Sequence, residues 1–147
     1  MKVIMLDIDG VLNDINTTTK HRGADGRLYD GVDAEKIVIL KRIIDITGAM
    51  IVLSSSWRNH PESCEYLYKE LGEELTSKII DHTPYFRQMQ RADEIESWLS
   101  KHLDVTKFVV LDDCDDDLER FGRSFVETKM SYGLTEELAA KCIDLLQ

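Results

Sequence analysis

Lys2-Val3-Ile4-Met5-Leu6-Asp7-Ile8-Asp9-Gly10-Val11-Leu12 runs from apolar residues onto two aspartates, two positions apart, and then a glycine. Side chains alternate faces along a strand, so Asp7 and Asp9 are expected on one side, at the carboxyl end of a strand too apolar to be exposed. Two carboxylates held together repel and are costly to desolvate, so one protonates or a cation sits between them. A hard divalent ion such as Mg2+ suits that arrangement, since it takes few carboxylates, keeps waters and recruits phosphate oxygens. Gly10 lets the backbone turn sharply next to a ligand. The plainer reading of the same residues is a strand ending in a polar turn, where Asp and Gly are ordinary.

Outward from this stretch the chain alternates strand and helix patterns. Residues 13–33 are polar and Gly-rich, and Asp25-Gly26 is a hairpin signature, so a small flap is expected there. Ile37, Leu40, Ile43 and Ile44 have helical spacing over 34–47, with Gly48 as the stop. A buried strand over 50–53 ends in Ser54-Ser55-Ser56-Trp57-Arg58, and Pro61 opens a helix over 61–71 with Tyr66 and Leu67 inward. A short strand over 77–82 and an amphipathic helix over 91–103, through Ile95, Trp98 and Leu99, lead to an apolar strand over 108–111. That strand runs into Asp112-Asp113-Cys114-Asp115-Asp116-Asp117; an edge strand over 124–128 and a last helix capped by Thr135 complete the order.

Apolar strands separated by amphipathic helices imply an α/β fold, a parallel sheet with helices on both faces. Ligands bind such sheets beyond the carboxyl ends of the strands. Here three strands end in functional groups: Asp7 and Asp9, then Ser54 to Arg58, then Asp112 and Asp113.

Composition excludes several classes. A chain of 147 residues is expected to form one domain over 1–147, and 43% hydrophobic with 31% charged residues describes a globular protein rather than a disordered or membrane one. The opening apolar run is too short for a secretory signal or a membrane span. Cys64, Cys114 and Cys142 are odd in number and widely spaced, which argues against zinc and disulfide frameworks and for a reducing cytoplasm. The net charge of -10 repels polyanions, so long nucleic acid is a poor partner, although a few local bases can still hold a nucleic-acid end.

The segments Asp7-Ile8-Asp9-Gly10-Val11-Leu12, the serine-tipped second strand, Arg91 before Ile95, and Leu111-Asp112-Asp113 together resemble the motifs of the haloacid dehalogenase (HAD) superfamily. More narrowly, Ser55-Ser56-Trp57-Arg58, Arg91-Ala92-Asp93-Glu94-Ile95 with Trp98-Leu99, and Gly133-Leu134-Thr135 resemble the compact HAD-like domains associated with RNA-repair (Swiss army knife) proteins. The resemblance implies a three-layer, Rossmann-like fold and a Mg2+-dependent phosphatase. By position, Asp7 is the implied nucleophile that forms an aspartyl-phosphate and Asp9 the general acid and then base. Ser55, with Ser54 as the alternative, is the implied phosphate-binding hydroxyl, and Arg91 the implied stabiliser of phosphoryl charge. Asp113 is implied to bind Mg2+ with Asp7 and the Asp9 carbonyl, and Asp112 to support it. Ser56 and Arg58 join Ser54 as candidate substrate contacts.

Each residue has a plainer competitor. Serines after a strand cap the next helix, and Arg91 can be a surface charge paired with Glu94 or Glu96. Acids over 112–117 suit a helix start, which leaves Asp116 and Asp117 unassigned. Trp57 and Trp98 read as packing residues. The gaps between motifs hold a flap and single helices but no large cap domain, so polynucleotide ends, phosphoproteins and small phosphate esters all fit an exposed site. Lys20, His21, Arg22 and Arg27 in the flap favour an anionic substrate, against the global charge. A catalytically silent phosphate- or nucleotide-binding regulatory domain is the alternative function. A receiver-type signalling domain fits less well, because it needs its phosphorylated Asp where this chain has Ser54 to Ser56.

Overall fold

The computed structural model describes all residues, Met1–Gln147. In chain order the strands are β1 (Lys2–Leu6), β2 (Lys20–Arg22), β3 (Leu28–Asp30), β4 (Met50–Leu53), β5 (Ile79–His82), β6 (Lys107–Asp112) and β7 (Phe125–Glu127). The helices are α1 (Ala34–Thr47), α2 (Pro61–Thr76), α3 (Arg91–Ser100) and α4 (Glu136–Leu146), with 3-10 segments at Ser56–Asn59 and Leu118–Ser124.

Five strands form one parallel sheet of order β5-β4-β1-β6-β7, which puts the aspartate-tipped strand in the middle. Period-2 alternation divides the core. Ile4, Leu6, Ile51, Leu53, Val109 and Leu111 face α1, α2 and α4. Val3, Met5, Val52 and Val110 face α3 and Leu118. Helices therefore cover both faces of a sheet whose central strand is apolar and buried from Val3 to Leu6, the three-layer architecture expected. β2 and β3 pair antiparallel as a separate hairpin, and no cap domain is inserted between the strands.

Local signals explain most boundaries. Gly48 ends α1 in the left-handed conformation (φ 72°), its N–H donating to the Ile44 carbonyl at 2.8 Å. The Thr135 hydroxyl accepts from Leu138 N–H at the start of α4. Two helices differ from expectation. α2 continues beyond Leu71 because the chain re-enters helix after Gly72 and buries Leu75 against the core. α3 stops at Ser100, short of 103, because Leu103 has no core to pack on and stays 88% exposed. The three cysteines are free. No helix is long and apolar enough to cross a membrane.

Candidate active site

The sheet register builds the site. Leu6 pairs with Leu53 on one side and Leu111 on the other, and the ladder continues one residue further: Ser54 N–H donates to the Leu6 carbonyl (2.9 Å) and Asp7 N–H to the Leu111 carbonyl (3.0 Å). Ser54, Asp7 and Asp112 thus stand side by side on the face that carries Val52, Met5 and Val110. Ser55 falls on the opposite face. Its hydroxyl accepts from Trp57 N–H at 3.1 Å as the cap of the 3-10 segment, so the expected phosphate hydroxyl is committed to capping. Ser54 Oγ instead shares the Asp7 face, fully buried and with no hydrogen-bond partner.

Arg91, at the start of α3, reaches back over this row. Its Nη1 donates to Asp112 Oδ2 at 2.7 Å and lies 3.3 Å from Asp7 Oδ2. Its own backbone N–H donates to Asp116 Oδ2 at 2.7 Å, which pins the acidic loop to the helix start and gives Asp116 a role the sequence left open. Asp112 accepts from Cys114 N–H through its other oxygen (2.9 Å), so each of its oxygens carries one donor.

Carboxylate oxygens of Asp7, Asp112 and Asp113 come within 4.8 Å of one another. Burial, and then the neighbouring Asp112, push the Asp7 carboxyl well above its ordinary range against the pull of Arg91. Burial likewise raises Asp112, opposed by Arg91. Three carboxylates against one guanidinium leave an excess of negative charge in a desolvated place, and an all-oxygen donor set of this kind fits a hard divalent cation. Gly10 closes the loop at φ 79°, and a Cβ there would lie 2.2 Å from Asp113 Oδ2, so only glycine leaves room for that carboxylate. Thr128, buried at the end of β7, donates its hydroxyl to the Gly10 carbonyl at 2.6 Å and fixes the same turn.

Asp9 departs from the expected side-by-side pair. β1 ends at Leu6, and Asp9 sits in the following turn, where strand alternation no longer applies. Its carboxylate lies outside the acidic cluster and is held by two donors: Asn13 Nδ2 to Oδ1 and Trp57 Nε1 to Oδ2, both at 3.0 Å. Asn13 also accepts from Gly10 N–H (2.9 Å) and donates to the Gly31 carbonyl (2.8 Å), so one amide ties the turn, Asp9 and the base of the flap together. The repulsion expected between Asp7 and Asp9 is in fact between Asp7 and the β6 pair.

A profile described as the HAD domain in Swiss Army Knife RNA repair proteins matches residues 3–139. The chain belongs to this family. A search of curated proteins returns no match. Within this HAD domain, a hydrolase-type fold, Arg58 is the second departure from expectation. Its guanidinium donates to Glu94 Oε1 at 3.0 Å and to the Ser55 carbonyl, with side-chain exposures of 3% and 6% for Arg58 and Glu94. It therefore ties the serine turn to α3 instead of facing a substrate. Ser56 is exposed and lines the cavity beside Asp9. Asn13 is a residue that sequence reasoning passed over, and Trp57, read as a packing residue, does pack in the core but also donates to Asp9. The Asp-x-Asp-Gly-x-x-Asn spacing offered a signal for Asn13, whereas an indole donating to a carboxylate 48 positions away offered none.

Proposed function

We propose that this HAD domain is a Mg2+-dependent phosphomonoesterase that works through an aspartyl-phosphate on Asp7. The observation that supports this most is Asp7 standing between Ser54 and Asp112 with Arg91 across it, four groups from four segments at the carboxyl ends of the strands. Asp7 and Asp113 would hold Mg2+ with Asp112 behind them, and the ion would neutralise charge on the phosphoryl oxygens.

In the first displacement a carboxylate oxygen of Asp7 bonds to phosphorus as the bond to the ester oxygen breaks, and Asp9 gives that oxygen its proton. In the second, water attacks phosphorus, its proton returns to Asp9, and the bond from phosphorus to Asp7 breaks, releasing phosphate. Asn13 and Trp57 fix the Asp9 carboxyl for both transfers. Arg91 and the unpartnered Ser54 hydroxyl face Asp7, where charge develops on the transferring group.

Hydrolysis of p-nitrophenyl phosphate with Mg2+ tests the proposal. Asp7→Asn, nearly isosteric, should abolish turnover while circular dichroism stays native. Undiminished hydrolysis by that variant would overturn the assignment.

A further inference from the structure

The acidic row at Asp7 and a cavity beside the flap are different places, and Asp9, two residues after Asp7, lines the second. A cavity of about 570 Å3 opens between the flap and the start of α2 and is lined on one side by Asp9, a size ordinary for a small-molecule site. Asp7 does not line it. Because Asp9 must reach the ester oxygen while the phosphoryl group sits at Asp7, the part of the substrate that fills this cavity is the leaving alcohol.

The lining states what that alcohol can be. Asp25, Asp30 and Glu62 face the cavity with Asp9, and no lysine or arginine does. Of the flap bases that pointed to an anionic substrate, only His21 lines the cavity, and Lys20 and Arg22 are engaged within the flap itself. Lys20 pairs with Asp30, Arg22 donates to the Gly26 carbonyl, and Arg27 stands 3.9 Å from Asp25. A second phosphate on the leaving group would meet the Asp9 and Glu62 carboxylates, which no lysine or arginine pairs, and the only basic side chains lining the cavity are the imidazoles of His21 and His60.

Rings form the other wall. Tyr29 lines the cavity and is 45% exposed, and Trp57 and His21, also in the lining, are buried. The His21 ring is held in place, stacked on Tyr66 with centroids 4.6 Å apart and hydrogen-bonded to Ser63 Oγ at 2.9 Å. This wall suits a planar ring better than an extended polyanion.

We infer that the domain takes phosphomonoesters whose leaving group is an uncharged, ring-bearing alcohol of nucleoside size, and that it rejects a further phosphate on that group. The inference rests on the phosphomonoesterase reading and narrows its substrate class, away from polynucleotide ends.

Two measurements test it separately. In steady-state phosphate release, adenosine 5′-monophosphate should exceed both adenosine 3′,5′-bisphosphate and ribose 5-phosphate in kcat/KM by roughly tenfold or more. Glu62→Lys should narrow the discrimination against the bisphosphate by roughly threefold or more. In calorimetry with Asp7→Asn, which needs no turnover, adenosine should bind, and adding Tyr29→Ala should weaken that binding by roughly tenfold. Equal turnover of the bisphosphate, or of ribose 5-phosphate, overturns the inference and leaves the phosphatase reading intact. Adenosine binding with no ester hydrolysed overturns the phosphatase reading and keeps the cavity assignment. Failure of both removes both.

Discussion

Arg58→Met separates a structural role from a substrate contact at one position. Arg58 and Glu94 form a buried ion pair at 3.0 Å, with almost no solvent access to either side chain. Burial pulls the guanidinium down from its usual value against the hold of Glu94, and its Nε has no partner. Removing one member of such a pair strands the other charge, at a cost of about 3–5 kcal/mol. In a chain of this length each kcal/mol lowers Tm by about 2–4 °C, so a drop of about 10 °C is expected. Glu94 also accepts from Phe86 N–H at 2.8 Å. Glu94→Gln can keep that bond without the charge, so the double variant Arg58→Met/Glu94→Gln should recover much of the loss. Thermal unfolding by circular dichroism gives the stabilities, and KM for p-nitrophenyl phosphate below the transition gives the site. A native Tm with a raised KM would refute the ion-pair argument and return Arg58 to the substrate.

Other perturbations follow from the same geometry. Ser54→Ala should lower kcat/KM by about 10²-fold, the scale of one lost transition-state donor, with unchanged Tm because the hydroxyl has no partner to lose. Ser55→Ala should do the reverse, costing about 1 kcal/mol of capping with catalysis retained, and both are read in one set of kinetic and melting experiments. Saturating Mg2+ at about a hundred times its Kd should stabilise the protein by about 2.7 kcal/mol, and Asp113→Asn should remove most of that thermal shift. Asp81 is exposed, and against a slight desolvation the indole N–H of Trp98 (2.8 Å) and the His82 N–H hold its carboxyl below the usual range. A depressed folded value contributes stability above the unfolded value of about 3.9, lost as pH falls through the folded one. The Tm gap between wild type and Asp81→Asn should therefore shrink from about pH 6 to about pH 3, and a constant gap would sink that account.

Much of the site was legible before any coordinates because it depends on short-range patterns. The apolar runs before Asp7, Ser54 and Asp112 specify buried strands, and in a parallel sheet covered on both faces all three tips must emerge on one edge. Arg91 was findable as the basic residue opening the helix that follows. Ser54 and Ser55 were not separable, since a one-residue offset changes the face and only the pairing of Leu53 with Leu6 decides it. Asp9 was misplaced beside Asp7 for a related reason: alternation was carried past the last residue of β1 into a turn.

What the sequence by itself determined is the layered α/β architecture, the hairpin flap and the identity of the acids, all functions of periodicity and turn chemistry within a few residues. Tertiary structure alone decided the partners. Trp57 reaches Asp9, Glu94 captures Arg58, and Lys20 turns to Asp30 across the flap, because each contact joins segments whose spacing is set by packing and not by the local chain. Which hydroxyl faces the nucleophile, and which charges remain for a substrate, depend on those pairings.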